Sequence, residues 1–362
     1  MSRKHQPQPT AFGLEFIAFN AQNFARLSNT PRQYPPRREE DVIKQIALIK
    51  REDFYKKGPT LFKLRGLIMR VAMDSRGSWY LSSKLRLASE TELSMVYEEV
   101  MVNPGLLSIH PYAHYVIQRM FQRLDPFRCS ALLDKLKVRK VISNPHGNYV
   151  IQSAIEALPP QLKLKLVYCL KGSIVDIARS IYGSCALCKI IDPASRTDLS
   201  SLSFFCTEIL GRVIHLSLDH NSSKIIQKII RHFPEETVRP ILEILHVGIQ
   251  ALLSSGTGSR VIEEMMRRGQ YDRNRVIEVI RHHIPNLAIS GPGSYVALTA
   301  LELASPGVRR YLISLLSQRK VLNALNQNKY GKRVIGLMFG MASCEQQEEI
   351  KARLYLPYSR RF

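Results

Sequence analysis

Hydrophobic residues recur along the chain in groups of four with the spacing i, i+1, i+4, i+5, here called apolar quartets. Three of them are Val116, Ile117, Met120, Phe121; Ile225, Ile226, Ile229, Ile230; and Val261, Ile262, Met265, Met266. Across eight such groups, 31 of the 32 positions are apolar or aromatic, and Lys84 is the exception. A chain that is 45% hydrophobic would give about 14 by chance. Since this spacing places four side chains on one stripe of an α-helix, the pattern predicts eight amphipathic helices.

Each quartet begins three residues after a small residue, and these small residues define a period. They are Gly77, Ala113, Gly147, Gly183, Ser222, Gly258, Gly293 and Gly331. Their successive spacings are 36, 34, 36, 39, 36, 35 and 38 residues, which indicates an internal repeat. Turn-forming runs such as Asn144–Gly147 come just before, so each repeat contains two or more helices. Because no repeat can bury its stripe alone, the sequence predicts an all-α fold, a right-handed α-solenoid (a curved superhelix) of eight stacked repeats.

The two ends of the chain lack this period. Residues 1–38 are basic and contain several prolines, which predicts a mobile N-terminal arm. Residues 39–60 are expected to form an N-terminal capping helix, and residues 61–356 the eight repeats, with a closing helix at Cys344–Leu356. Residues 357–362 form a short tail.

The charge of the chain points to a polyanionic partner. Lys and Arg number 52 against 30 Asp and Glu, giving a net charge of +22 and a pI near 9.9. Nucleic acid is the usual partner of such a protein, and a generally solvated basic surface is the alternative. No uninterrupted apolar run is long enough to cross a bilayer and the N-terminus carries no secretory signal, so no membrane contact is expected. The six cysteines are then expected to be reduced thiols.

The sequence lacks the residue patterns that enzymes use. There is no Ser/His/Asp or paired-carboxylate arrangement, no phosphate-binding glycine loop and no HExxH motif. We therefore expect no catalytic activity and no cofactor. Cys185 and Cys188 have the spacing of a metal-binding pair, but no second pair lies at ligand spacing, so no metal is expected.

Three variable positions beside each quartet carry the candidate chemistry. They lie at i, i+1 and i+4, starting one residue after the small residue, and are here called the first, second and third triplet positions. In the third repeat they are Asn148, Tyr149 and Gln152. The two amides share one helical face, and each can donate and accept hydrogen bonds at the edge of a base. An aromatic or Arg side chain at the second position can stack on a base.

These features resemble the Pumilio (PUF) family of RNA-binding repeat proteins. The resemblance covers about residues 61–356 and includes the eight repeats. Its most specific segments are Asn144–Gln152, which reads Asn-Pro-x-Gly-Asn-Tyr-Val-Ile-Gln, and Val71–Ser78, which is similar to the start of a first repeat. The resemblance implies binding of single-stranded RNA, one base per repeat, with the strand antiparallel to the protein.

The resemblance also implies base preferences for four triplets. Asn148/Tyr149/Gln152 matches the uracil reader, and His114/Tyr115/Gln118 departs from it only at the first position. The other two are Ser223/Lys224/Gln227, similar to the adenine reader, and Ser259/Arg260/Glu263, similar to the guanine reader. The implied site is 5′-N-N-G-A-N-U-U-N.

The remaining four triplets lack paired readers, and the family's usual 5′ UGU element has no matching readers in the sixth to eighth repeats. They are Ser78/Trp79/Ser82, Ser184/Cys185/Cys188, Ser294/Tyr295/Leu298 and Lys332/Arg333/Gly336. Trp79, Tyr295 and Arg333 remain candidates for stacking, and Lys332 for a phosphate contact. The basic run Lys135–Lys140 is expected to be a solvated face that adds phosphate contacts.

Three functions remain open at this stage. The leading hypothesis is a monomeric cytoplasmic regulator that binds messenger RNA 3′ untranslated regions, controls translation or decay, and has protein effectors on its convex face. The first alternative is a nucleolar protein that binds ribosomal precursor RNA, mainly through phosphates. The second is a protein-binding scaffold of the HEAT or armadillo kind.

Overall fold

A computed structural model describes residues 60–195 and 197–355. The predicted N-terminal arm, nearly all of the predicted capping helix and the C-terminal tail lie outside these ranges. The chain divides into two compact units, Met1–Leu162 and Lys163–Phe362. Within the described ranges all regular structure is helical and no strand is present, which confirms the all-α prediction.

The first unit contains three repeats of three helices each. The helices are α1 (Ile68–Met73), α2 (Ser75–Leu85), α3 (Glu90–Val100), α4 (Pro104–Ile109), α5 (His114–Arg123), α6 (Pro126–Lys135), α7 (Val138–Ile142), α8 (Gly147–Ala157) and α9 (Pro160–Tyr168), which contains the unit boundary. A 3-10 helix, Leu61–Leu64, comes before α1. In each repeat a short first helix leads into a longer helix that carries the triplet, followed by a third helix.

The second unit repeats this order five times. The helices are α10 (Ile174–Arg179), α11 (Ile181–Ile191), α12 (Ser203–Ile209), α13 (Val213–Leu218), α14 (Ser223–His232), α15 (Glu235–Val247), α16 (Ile249–Leu253), α17 (Gly256–Arg268), α18 (Gln270–Ile280), α19 (Ile284–Ile289), α20 (Gly291–Leu303), α21 (Pro306–Leu316), α22 (Arg319–Gln327), α23 (Lys329–Met341) and α24 (Cys344–Tyr355). Short 3-10 helices occupy Pro193–Ser195, Ser200–Leu202 and Leu210–Arg212.

The apolar quartets form the core of each unit, as predicted. All of their apolar side chains are buried except Ile335 and Phe339 on α23, which has a neighbouring triplet helix on one side only. Within the first unit α2, α5 and α8 pack side by side, and within the second unit α11, α14, α17, α20 and α23 do the same. Each fully buried Leu or Ile contributes about 1.5–3 kcal/mol to this packing.

The repeated glycine permits the triplet helix to approach the first helix closely. A Cβ atom built on Gly147 would lie 2.4 Å from the carbonyl oxygen of Val141, six residues earlier. In the fifth repeat the position is Ser222, whose hydroxyl donates to the equivalent carbonyl of Leu216 at 2.8 Å. The small residue that marks the period is therefore set by contact with a backbone carbonyl.

A turn before the first helix is held by a glutamate from the third helix. Glu99 on α3 accepts the backbone N–H groups of Gly66 at 2.6 Å and Ile68 at 2.9 Å. Glu208 on α12 does the same for Gly172 and Ile174, at 2.6 and 3.0 Å. Both glycines have positive φ, 79° and 84°, a conformation that favours glycine.

The segment Ser200–Leu218 bears on the expectation that the chain has no membrane span. Its 19 residues have a mean hydropathy of 1.2 and reach the length and apolarity of a membrane span. The structure divides the segment into two 3-10 and two α-helices and buries Leu202, Phe205, Ile209 and Val213. Charged residues such as Glu208 interrupt the apolar run in the sequence. The buried side chains of the segment form part of the core of the second unit.

Candidate nucleic-acid interface

The three triplet positions differ in exposure in a consistent way. The first position is buried in seven repeats, with Lys332 as the exposed exception. The second position is exposed in all eight repeats: Trp79, Tyr115, Tyr149, Cys185, Lys224, Arg260, Tyr295 and Arg333. The third position is intermediate in six repeats, while Leu298 is buried and Gly336 is exposed. Each unit therefore presents a row of second-position side chains to solvent, with polar groups partly covered beside them.

In the third repeat the two predicted amide readers bond to each other. Asn148 donates from Nδ2 to the carbonyl oxygens of Asn144 at 3.1 Å and Pro145 at 2.8 Å. Its Oδ1 accepts from Nε2 of Gln152 at 2.8 Å. Tyr149, with 54% of its surface exposed, lies beside this pair. The network fixes the orientation of Asn148, and through it that of Gln152, before any ligand binds.

In the second repeat His114 is buried beside two tyrosines. Its ring centroid lies 4.0 Å from that of Tyr115 and 6.3 Å, in a stacked arrangement, from that of Tyr149. Its Nδ1 lies 2.9 Å from the carbonyl oxygen of His110, so Nδ1 carries the hydrogen and donates. Burial, together with nearby His146, lowers the pKa of His114 in spite of that hydrogen bond.

The third position of the second repeat has a free hydrogen-bonding group. Nε2 of Gln118 is buried and has no hydrogen-bond partner among the residues described by the structure. A buried amide without a partner costs about 1–3 kcal/mol. A base edge that accepts a hydrogen bond from Gln118 would remove this cost, so the side chain is suited to a ligand.

First-position serines in the second unit donate to the backbone one turn earlier. Ser184 donates to Ile181, Ser259 to Ser255 and Ser294 to Gly291, over 2.9–3.0 Å. Ser223 makes a longer contact of 3.5 Å with the carbonyl oxygen of His220. Since each hydroxyl hydrogen is engaged, these serines offer their oxygen lone pairs to a base as acceptors.

The fifth repeat places its two predicted adenine readers one turn apart on α14. Gln227 at the third position is half-buried, whereas Ser223 at the first position is buried. The side chain of Gln227 forms no hydrogen bond with any residue that the structure describes, unlike Gln152 in the third repeat. Its amide can therefore both donate and accept at the edge of a base. Lys224 between them is exposed but has no planar group, so this repeat lacks a stacking surface.

Glu263, the predicted guanine reader, is partly buried. Burial raises its pKa above the ordinary value of 4.5, while Arg267, whose Nη1 lies 3.6 Å from Oε2, lowers it. Arg260 at the second position is exposed. The triplet thus combines a carboxylate, which accepts hydrogen bonds from N–H donors, with an exposed guanidinium plane.

The triplets without paired readers have other local roles. Ser78 donates to the carbonyl oxygen of Tyr112 in the next repeat at 2.6 Å, while Trp79 is exposed and Ser82 is partly covered. Burial raises the pKa of the Cys188 thiol to about 11, which keeps it protonated. No cluster of metal-binding side chains occurs in the described part of the chain.

Two arrangements were not predicted from the sequence. Arg333 lies over the ring of Tyr295, 5.1 Å from its centroid, so the second positions of the seventh and eighth repeats contact each other. His146 lies 5.3 Å from His114, ring to ring. Lining up the repeats would have placed these pairs at neighbouring positions. Lys135 is exposed, as predicted, and it also donates to the carbonyl oxygen of Met101 at 2.7 Å.

Comparison with known proteins relates the chain to one family. The model of the Pumilio-family RNA binding repeat matches residues 106–137, 138–168 and 212–246, which fall in the second, third and fifth repeats. The Saccharomyces cerevisiae Pumilio homology domain family member 4 is 26% identical over 204 residues, 53% of this chain and 22% of the relative. Pumilio homolog 12 of Arabidopsis thaliana is 22% identical over 280 residues, 75% and 46% of the two chains. This chain spans less than half the length of these relatives.

Solved structures show the same fold. PUF-8 in complex with PBE-RNA superposes with a TM-score of 0.77 at 17% identity, covering 85% of this chain and 92% of that one. The Puf3 RNA binding domain bound to Cox17 RNA 3′ UTR recognition sequence site A gives a TM-score of 0.73 at 18% identity, with coverage of 84% and 93%. The likeness establishes a helical-repeat fold of this type for the chain.

Proposed function

The chain is a member of the Pumilio (PUF) family, and on this premise we propose that it binds single-stranded RNA through its triplet helices. The bases lie against the exposed second positions, and the first and third positions contact the base edges. The observation that carries this proposal is the third repeat. There Tyr149 is exposed for stacking beside Asn148 and Gln152, which are already oriented by mutual hydrogen bonding.

The second positions support the same function along both units. Seven of the eight are aromatic or cationic, and Cys185 is the exception. Aromatic rings and guanidinium planes stack on any base, at about 1–3 kcal/mol per base. Binding therefore does not require a good edge reader in every repeat.

Base preference is assigned to four repeats. The second and third repeats favour uracil, the fifth adenine and the sixth guanine, as the family's reading rule implies for their triplets. Gln118 supports the second-repeat assignment, since its Nε2 donor has no partner among the described side chains and uracil offers carbonyl acceptors. In the fifth repeat the assignment depends on Gln227, whose amide can meet both the acceptor and the donor on an adenine edge.

Selection of RNAs from a random pool tests this function. The expected result is enrichment of sequences with two adjacent uracils, preceded on the 5′ side by G-A with one nucleotide between them. Enrichment without adjacent uracils would contradict the base assignments. Absence of binding to any RNA would contradict the function itself and favour the scaffold alternative.

The biological role follows by family analogy. We assign the chain to cytoplasmic control of messenger RNA translation or decay, with protein effectors. The net charge of +22 favours a second candidate, a nucleolar protein that holds ribosomal precursor RNA mainly by its phosphates. The two differ in the salt dependence of binding and in the effect of removing the base readers.

A further inference from the structure

A basic cavity lies in the second unit, apart from the triplet positions. It has a volume of about 520 Å³ and is open to solvent. Its polar lining consists of Arg179 at the end of α10, Arg212 and His215 at the start of α13, and Asp219. All three of the basic side chains are exposed.

These basic side chains are not committed to the fold. Arg179, Arg212 and His215 form no side-chain hydrogen bond or ion pair with any residue that the structure describes. Other arginines of the same unit are engaged: Arg231 pairs with Glu264, Arg239 with Asp272, and Arg275 with Glu243. A convergence of cationic groups that outnumber the anionic groups beside them is a feature of anion-binding sites.

Asp219, the carboxylate in the cavity, already accepts hydrogen bonds within its own turn. Asp219 accepts the backbone N–H of Asn221 at 3.1 Å and of Ser222 at 2.9 Å, and the Ser222 hydroxyl at 2.8 Å. Arg179 forms no ion pair with it within 4 Å. Two arginines against one carboxylate leave one positive charge in excess, and a bound phosphate would offset that excess.

The cavity lies where two triplet helices begin. Arg179 directly precedes Ser180, whose hydroxyl caps the start of α11 by accepting from the N–H of Gly183 at 3.2 Å. Asp219 opens the turn that leads into α14. These helices carry the triplets of the fourth and fifth repeats. Their second-position side chains, Cys185 and Lys224, have no planar group that could stack on a base.

We propose that this cavity binds a backbone phosphate of the RNA strand, so that the fourth and fifth repeats hold the strand by its backbone where their base contacts are weak. The inference rests on the proposed function. Two guanidinium groups provide the fork-shaped donors that match phosphate oxygens. Such a contact fixes the register of the strand and carries no base preference.

The test combines a protein variant with neutralised RNA linkages. The variant is Arg179→Gln/Arg212→Gln, and the matched control is Arg310→Gln/Lys320→Gln, which removes the same charge from side chains elsewhere in the second unit. The probe is a single-stranded RNA containing 5′-GANUU-3′, unmodified or with one methylphosphonate at each linkage in turn. Affinity is measured at several salt concentrations.

The expected result is specific to one linkage. Neutralising that phosphate weakens binding to the unaltered protein by about tenfold and has no effect on the cavity variant. The salt slope of the cavity variant falls by about 0.7, the value for one phosphate of a single strand. The control variant keeps the linkage dependence of the unaltered protein.

Two results would overturn the inference. If cavity and control variants lose affinity equally, the arginines contribute only general charge. If the linkage profile is the same in the cavity variant as in the unaltered protein, no phosphate sits in the cavity. In both cases the unaltered protein still binds RNA, whereas failure of the unaltered protein to bind RNA contradicts the proposed function together with this site.

Discussion

Gln152 donates its side-chain amide to Oδ1 of Asn148, one turn earlier on α8, across 2.8 Å. Asn148 in turn donates to the carbonyl oxygens of Asn144 and Pro145, in the turn before the helix. The Asn148–Gln152 pair is thus joined by hydrogen bonds to the turn before α8. Asn148 therefore has a structural role at the start of the helix, whereas Gln152 is the candidate for contact with a ligand.

Replacing Asn148 and Gln152 singly should separate these two roles. Asn148→Ala removes the two hydrogen bonds that tie the start of α8 to the turn before it, and it should lower the free energy of unfolding by about 1–3 kcal/mol. Gln152→Ala removes a partly exposed side chain and should change it by less than about 0.5 kcal/mol. Urea denaturation measures both, and equal losses would contradict a structural role that Asn148 has and Gln152 lacks.

The glutamate that holds the turn before α1 gives a stability prediction. Glu99→Ala leaves the N–H groups of Gly66 and Ile68 without their acceptor and should cost about 1–3 kcal/mol of unfolding free energy. Glu98→Ala, at the exposed neighbouring position, is the matched control and should be nearly neutral. Equal effects in urea denaturation would show that the Glu99 bonds are not needed.

The close contact between triplet helix and first helix gives a second stability prediction. Gly147→Ala places a methyl group 2.4 Å from the carbonyl oxygen of Val141 and should destabilise the protein by about 1–3 kcal/mol. Gly340→Ala on α23 meets no atom within 4 Å and should stabilise it by about 0.5–1 kcal/mol through helix propensity. Thermal denaturation measures both, and a neutral Gly147→Ala would contradict the close approach.

His114 makes stability depend on pH in a defined direction. Burial lowers its pKa in the folded protein below the ordinary value of 6.5, so the unfolded chain takes up the proton first as the pH falls. The contribution of neutral His114 to stability is therefore complete above about pH 6.5 and is lost as the pH drops through the folded pKa. Between pH 7.5 and 5, His114→Asn should lose less unfolding free energy than the unaltered protein.

The matched control for this pH dependence is the exposed His220. His220→Asn should lose as much stability between the two pH values as the unaltered protein does. If His114→Asn behaves in the same way as the control, protonation of His114 does not oppose folding.

The sequence predicted those features that depend on local spacing. The apolar quartets identified the buried stripe because four side chains within six residues determine one helix face, and their burial confirms that prediction. The hydrogen bond from Gly66 to Glu99 joins residues 33 positions apart in the chain, so no local sequence pattern predicts it. The hydrogen bonding of the first-position serines depends on the geometry of each helix start. The residue types of a triplet do not determine that geometry.

The third triplet positions show the same limit. Gln118, Gln152 and Gln227 are the same residue at the same register, yet only Gln152 bonds to the first position of its own triplet. The difference arises because Asn148 offers an amide oxygen one turn earlier, whereas His114 and Ser223 do not. The base preferences of these triplets remain predictions for the RNA selection experiment.

The division into two units was also absent from the sequence pattern. The period continues across Leu162 with a spacing of 36 residues, from Gly147 to Gly183, because the quartets report burial within a repeat and not contacts between distant repeats.

Reading of a base by the third repeat is tested most directly by one measurement. Affinity is compared between the unaltered protein and Tyr149→Ala/Gln152→Ala, for RNA with adjacent uracils and for the same RNA with cytosines there, at two salt concentrations. Tyr311→Ala, at an exposed tyrosine outside the triplet helices, is the control. We expect the double variant to lose its preference for uracil, about tenfold, while its salt slope stays unchanged. A double variant that keeps the preference would contradict base reading by this repeat.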